Sequence, residues 1–193
     1  MAVSPQNLVL ASRSPRRREL LAAAGCEFEV FPASEAAECG VCSGETPSEL
    51  VARLAFQKAE DVIRRGARGL ILACDTVVEC HGWILGKPAD EEHARSMLTV
   101  LSGREHRVLS GVCLWSSPGG EPLVRVAATT LRMDALAPRQ LDDYLAGGQW
   151  EGKAGAFGYQ DGLDWVHIVE GSESNVVGLP MELLAEMLQA YGV

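Results

Sequence analysis

A continuous apolar run in the middle of the chain constrains the fold most. Residues 69–74, Gly-Leu-Ile-Leu-Ala-Cys, carry no charged side chain, and Asp75 follows them directly. A half-exposed strand alternates apolar and polar residues, whereas a strand buried on both faces reads as an unbroken apolar run. The sequence therefore predicts a buried strand at the heart of a sheet, with a carboxylate at its end.

Strand and helix patterns follow one another in mixed order along the rest of the chain. Strand patterns cover residues 8–11, 28–31, 105–115, 123–132 and 165–169, and helical patterns cover 15–24, 47–65, 90–101, 138–145 and 180–191. His81-Gly82 is a candidate hairpin turn. This order predicts an α/β or α+β protein with one long central sheet. Because no repeat or linker interrupts it, residues 1–193 are predicted to form a single domain.

Composition and charge exclude several classes of protein. The chain is 47% hydrophobic, which rules out disorder, and its net charge of −9 opposes binding to nucleic acid or to anionic lipid. The sequence contains neither a transmembrane run nor a signal-type segment, so we expect a cytoplasmic protein with no membrane partner. We expect its cysteines to be reduced and mostly buried.

The densest basic cluster lies where the first strand pattern passes into the first helical pattern. Ser14 is the predicted N-cap and Pro15 the first helical residue, and free backbone N–H groups at such a position favour an anion. Four arginines without a ligand would be unfavourable at this end of a helix dipole. The sequence therefore predicts a phosphate cradle, formed by Ser12 with Arg13, Arg16, Arg17 and Arg18.

Acidic residues supply the candidates for catalysis and for metal binding. The end of a buried strand is where α/β proteins present catalytic groups, which makes Asp75 the best catalytic candidate; a turn acceptor is the alternative. Glu35 or Glu38 could add carboxylate oxygens for a divalent cation such as Mg²⁺, and the residues alone do not choose between them. Cys39 and Cys42 form a C-x-x-C pair without the second ligand pair that a zinc site needs.

Lys87 follows the predicted hairpin, and Pro88 would fix its position. The spacing from Gly82 to Lys87 lacks the residues of a P-loop, so that motif is rejected. Lys87 remains either a phosphate contact or an ordinary surface lysine.

Six spaced motifs run in order along nearly the whole chain, which is hard to meet by chance. They are residues 10–17 (Leu-Ala-Ser-Arg-Ser-Pro-Arg-Arg), 75–78 (Asp-Thr-Val-Val), 85–88 (Leu-Gly-Lys-Pro), 101–103 (Leu-Ser-Gly) with His106, 153–158 (Lys-Ala-Gly-Ala-Phe-Gly) with Gln160, and 176–180 (Val-Val-Gly-Leu-Pro). Together these motifs resemble the Maf family of nucleoside triphosphate pyrophosphatases.

The resemblance implies a fold and a reaction. The implied fold is α/β, with an elongated mixed sheet flanked by helices and two lobes around a cleft, similar to the inosine triphosphate pyrophosphatases, and commonly a homodimer. The implied reaction cleaves a nucleoside triphosphate to the monophosphate and pyrophosphate with Mg²⁺ or Mn²⁺.

The resemblance also implies roles for individual residues. Asp75 is the proton acceptor, with Lys87 as a second catalytic residue, and the metal ligands are Glu38 and Asp75. The residues implied in substrate binding are Ser12, Arg16, Arg17, Lys58, Thr76, Lys153 and Gln160.

Within the family, Arg16, Thr76 and Gln160 resemble the branch that acts on dTTP and UTP, with modified pyrimidine nucleotides left open as further substrates. A glutamine amide offers both a donor and an acceptor to a uracil or thymine edge. Tyr159 and Asp161 depart from the usual Ile and Gly, which puts the geometry of this loop in question. Two other functions stay open from the sequence: a nucleotide sensor that regulates cell division without turnover, and a metal-dependent phosphatase.

Overall fold

The computed structural model describes residues 7–37 and 44–192. Within them the strands are β1 (Leu8–Leu10), β2 (Phe28–Val30), β3 (Gly69–Cys80), β4 (Trp83–Leu85), β5 (Glu105–Ser117), β6 (Leu123–Met133) and β7 (Val166–Glu170). The α-helices are α1 (Pro15–Ala23), α2 (Pro47–Arg64), α3 (Glu91–Leu101), α4 (Pro138–Ala146), α5 (Glu173–Val177) and α6 (Met181–Tyr191). None of these helices is both long and apolar enough to cross a bilayer.

The seven strands form one mixed sheet in the order β2-β1-β3-β5-β6-β7, with β4 paired to β3. β1 lies parallel to both β2 and β3, whereas β3 pairs antiparallel with β4, and β6 with β7. The prediction of an α/β protein with a mixed sheet is therefore confirmed, as is the hairpin at His81-Gly82.

The chain divides into two compact units. The first is drawn from Met1–Asp75, Ser110–Ala127 and Gly178–Val193, and the second from Thr76–Leu109 and Ala128–Val177. Each unit has its own apolar core.

In the first unit, the unbroken apolar run of β3 is explained by burial on both faces. Leu70, Leu72 and Cys74 belong to a cluster that also contains Leu21 of α1 and Leu184 of α6. Ile71 and Ala73 belong to a second cluster, which contains the buried alanines of α2. Since successive side chains on a strand point to opposite faces, both faces must be apolar.

The placement of Asp75 at a strand end was wrong. β3 continues to Cys80, so Asp75 lies in the middle of a twelve-residue strand. β1 pairs with β3 only as far as Leu72, and β4 takes up the pairing from Val78. Besides its neighbour β5, β3 thus has β1 as a partner before Asp75 and β4 as a partner after it, and Asp75 lies between these two pairings.

Cysteines 74, 80 and 113 are buried free thiols, and Cys26 is half-buried, as expected. Burial raises the pKa of the Cys113 thiol to about 12, so this thiol stays protonated and unreactive. Cys39 and Cys42 lie outside the described residues.

Candidate active site

A lysine–aspartate pair lies at the centre of the candidate site in the first unit. Nζ of Lys58 is 2.5 Å from Oδ1 of Asp75, and the two side chains are only 7% and 14% exposed. Lys58 lies in the buried stripe of α2 with Ala55, Ala59 and Val62, at helical spacing. Asp75 is two residues beyond Ala73 on β3, so strand alternation turns it toward the same helix. Two periodicities of the sequence thus bring one ammonium and one carboxylate together.

Arg17 connects three segments of the first unit. Its Nε donates to the carbonyl of Gly178 at 2.7 Å, and its Nη1 donates to the carbonyl of Cys74 at 2.7 Å and to Oγ of Ser12 at 3.1 Å. The side chain is buried. Arg17 therefore ties the start of α1 to the backbone next to Asp75; its predicted contact with phosphate stays a prediction.

Helix α1 begins as its sequence predicts. Oγ of Ser14 accepts from the backbone N–H of Arg17, and Pro15 is the first helical residue. The expected cluster of four arginines is divided: Arg13 forms an exposed ion pair with Glu35 at 3.2 Å, Arg17 is buried, Arg16 is half-buried and Arg18 is exposed. Ser12 is buried and also accepts from the N–H of Ser14.

The other predicted site residues belong to the second unit. Thr76 follows Asp75 on β3, and Lys87 follows β4 with its side chain exposed. The N–H of Gly155 donates to the carbonyl of Gly86 at 3.0 Å. This bond joins the segment that carries Lys87 to the glycine-rich segment, residues 147–162, which carries Lys153 and Gln160.

Within the glycine-rich segment, Lys153 forms an ion pair with Asp161, and both side chains are mostly buried. Gln160 lies in the short 3-10 turn Tyr159–Asp161 with its side chain exposed. The sequence analysis did not identify Asp161 as a functional candidate. The available indications were its departure from the usual Gly and its acidic side chain directly after Gln160, in a segment with a lysine.

A divalent cation was expected at Glu38 and Asp75. Glu38 lies outside the described residues, and the described part of the chain holds no group of three or more His, Cys, Asp or Glu side chains arranged for a metal. Mg²⁺ is commonly bound through one or two carboxylates together with substrate phosphates. The partly exposed carboxylate of Asp75 has the oxygen chemistry for such a site.

These features define a class: an α/β protein in which a serine-capped helix start lies next to a mostly buried lysine–aspartate pair. The sequence model of the Maf-like proteins matches residues 7–191, and the chain belongs to this family.

Two relatives extend this similarity over almost the full chain. A protein of Rhodopirellula baltica named dTTP/UTP pyrophosphatase is 57% identical over 97% of this chain and 83% of its own length. A protein of Geotalea uraniireducens with the same name is 41% identical over 100% of this chain and 98% of its own length.

The fold is similar to the solved structure of a HAM1 protein from Coxiella burnetii. The TM-score is 0.54 at 17% sequence identity, over 95% of this chain and 98% of that one. At this identity the likeness concerns the fold alone.

Proposed function

We propose that this protein is a nucleoside triphosphate pyrophosphatase that hydrolyses dTTP and UTP to the monophosphate and pyrophosphate. Relatives named dTTP/UTP pyrophosphatase, similar over nearly the whole chain, support this activity. The structural observation that carries the proposal is the Lys58–Asp75 pair. Arg17, in the serine-capped first turn of α1, bonds the carbonyl of Cys74 directly before Asp75.

Asp75 is assigned the transfer of the proton. Lys58 holds Oδ1 and thereby fixes the orientation of the carboxylate, and Oδ2 takes the proton from the water that attacks the α phosphorus.

Charge on the triphosphate is balanced by cationic side chains and backbone dipoles. Arg16 lies in the first turn of α1 and Ser12 two residues before its N-cap, where backbone N–H groups favour phosphate. Arg17 holds this end of the helix against the backbone of Cys74. Lys87 is assigned a further phosphate contact. Asp75 and Glu38 would hold Mg²⁺ or Mn²⁺, which would supply additional charge neutralisation.

Base choice is assigned to Arg16, Thr76 and Gln160. The support for this assignment is the resemblance to the pyrimidine branch and the exposed amide of Gln160. The resemblance also extends the proposal to a homodimer in the cytoplasm, for which light scattering should give the mass of two chains.

A product assay tests the reaction. We expect the purified protein, given UTP and Mg²⁺, to release pyrophosphate, and EDTA to stop the release. Orthophosphate as the first product would indicate a phosphatase instead, and binding of UTP without any product would indicate a sensor.

A substitution at Asp75 tests the mechanism. Asp75→Asn keeps the shape of the side chain but removes the proton acceptor, so turnover should fall by about 10²–10⁴-fold, the usual contribution of a general base. Circular dichroism should be unchanged. Full turnover in this variant would contradict the role of Asp75.

A further inference from the structure

The ion pair between Lys153 and Asp161 lies directly on the backbone of Gly158. A Cβ placed on Gly158 would come within 2.4 Å of Oδ2 of Asp161 and 2.6 Å of Nζ of Lys153. Both close atoms are ends of side chains, so an added Cβ would displace the two charged groups from this point. The N–H of Asp161 also donates to the carbonyl of Gly158 at 3.1 Å, which closes the turn.

The backbone before this turn is held in an unfavourable conformation. Gly155 has φ 69° and Ala156 has φ 64°, a left-handed value that non-glycine residues rarely adopt. The hydroxyl of Tyr144 donates to the carbonyl of Ala156 at 3.2 Å, and the Phe157 ring packs edge-on against His106. Such backbone persists only where surrounding contacts fix it, and these contacts fix the first half of the segment.

The second half of the segment, which carries Gln160, is held by the Lys153–Asp161 pair. Gln160 lies between Gly158, on which the pair rests, and Asp161, which is part of the pair. The side chains of Lys153 and Asp161 are 12% and 18% exposed, so the loss of either partner leaves a poorly solvated charge without its counter-ion.

We propose that Lys153 and Asp161 form a clamp that positions Gln160 for base selection. Lys153 then acts on the substrate through this clamp, as a positioning residue, and not as a phosphate contact. The inference rests on the proposed pyrophosphatase function, which it deepens. Its physical basis is that the amide of Gln160 can distinguish uracil from cytosine only if the turn fixes where its donor and acceptor point.

A double-mutant cycle tests the clamp. Asp161→Asn and Lys153→Gln, alone and combined, are compared by kcat/KM for UTP and for CTP. Asp164→Asn is the matched control, because it removes the same charge from an exposed residue three positions after Asp161. Thermal unfolding of each variant reports whether it is folded.

The clamp predicts that each single variant lowers the ratio of kcat/KM for UTP over CTP by about tenfold, the scale of a lost polar match. The double variant should be no worse than either single one, because both remove the same interaction. Asp164→Asn should keep the wild-type ratio.

A phosphate contact predicts a different result. Lys153→Gln would then lower kcat/KM for both nucleotides by the same factor, and Asp161→Asn would free the ammonium and raise both. Either of these two patterns overturns the clamp. So does an unchanged ratio of kcat/KM for UTP over CTP in a single variant that is destabilised, or a loss of selectivity in Asp164→Asn equal to that of the single variants.

The behaviour of the wild-type protein separates the two proposals. Wild-type protein that releases pyrophosphate but shows no preference for UTP over CTP overturns the clamp and the assignment of base choice, and leaves the pyrophosphatase reaction in place. Wild-type protein that releases no pyrophosphate overturns both.

Discussion

His106 is a buried histidine on β5, only 3% exposed, and its ring packs edge-on against Phe157 at a centroid distance of 5.4 Å. Its Nε2 atom has no hydrogen-bond partner in the described part of the chain. Burial lowers the pKa of His106 from 6.5 to about 4, so the ring is neutral at pH 7. Protonation of His106 is therefore expected to destabilise the packing of the second unit at low pH.

The unfolding free energy should fall as the pH drops from about 6.5 to 4, because the unfolded chain binds a proton at His106 in this window and the folded protein does not. The shift in pKa corresponds to about 3 kcal/mol. Below about pH 4 both states carry the proton, and this contribution stops changing. Urea denaturation at a series of pH values measures the effect.

His106→Gln should flatten the pH dependence in this window. His81→Asn is the control, because His81 is exposed and asparagine tolerates its φ of 50°. If His106→Gln and wild-type protein lost stability in parallel between pH 6.5 and 4, other groups would be responsible.

The contacts of a residue could be predicted from sequence where its partners are near it in the chain. Ser14 and Pro15 mark the start of α1 because an N-cap depends on the next three residues. The partner of Lys153 was not predictable, since Asp161 reaches it only after two 3-10 turns fold over Gly158. The ring contact of His106 depends likewise on a residue fifty-one positions away.

At the scale of elements, the position of α2 decides where Lys58 lies. β5 approaches this helix at Gly111, where a Cβ would come within 2.1 Å of the carbonyl oxygen of Val51. The neighbour is helix backbone, which cannot rotate away as a side chain can. Lys58 is seven residues, two helical turns, beyond Val51, so the same contact helps to set its distance from Asp75.

Gly111→Ala should therefore move α2 away from the sheet. We expect a loss of about 1–3 kcal/mol in the unfolding free energy, the usual cost of overpacking, together with a fall in kcat for UTP as Lys58 shifts from Asp75. Urea denaturation and steady-state kinetics measure the two effects.

Gly86→Ala is the control for stability, since a Cβ at Gly86 meets nothing within 4 Å. Equal stability of Gly111→Ala and Gly86→Ala would show that α2 adjusts to the added methyl group without cost.

The types and order of the long elements could be predicted because their hydrophobic periods are strong. The hairpin predicted at His81-Gly82 implied the pairing of Val78 with Leu85, but nothing in the sequence joins this short strand to residues 69–74 as one continuous strand through Asp75. Helix α5 (Glu173–Val177) was also missed, because five residues are too few to show a period of 3.6.

At the scale of the whole molecule, the boundary between the two compact units falls inside strands. It divides β3 after Asp75, β5 after Leu109 and β6 after Ala127. Each of these strands thus belongs to both units, and no linker separates them. This division is not visible in the sequence, which predicts one domain over residues 1–193.

The two units should unfold together, because neither can lose its share of β3, β5 and β6 without breaking strands of the other. Leu184→Ala opens a cavity in the first unit and Leu98→Ala opens one in the second; each should cost about 2–5 kcal/mol. Both variants should show one transition in urea, with far-UV circular dichroism and tryptophan fluorescence coinciding.

Three of the four tryptophans, Trp83, Trp150 and Trp165, lie in the second unit, so fluorescence reports mainly on that unit. If Leu184→Ala shifted only part of the dichroism signal and left the fluorescence transition in place, the units would unfold independently.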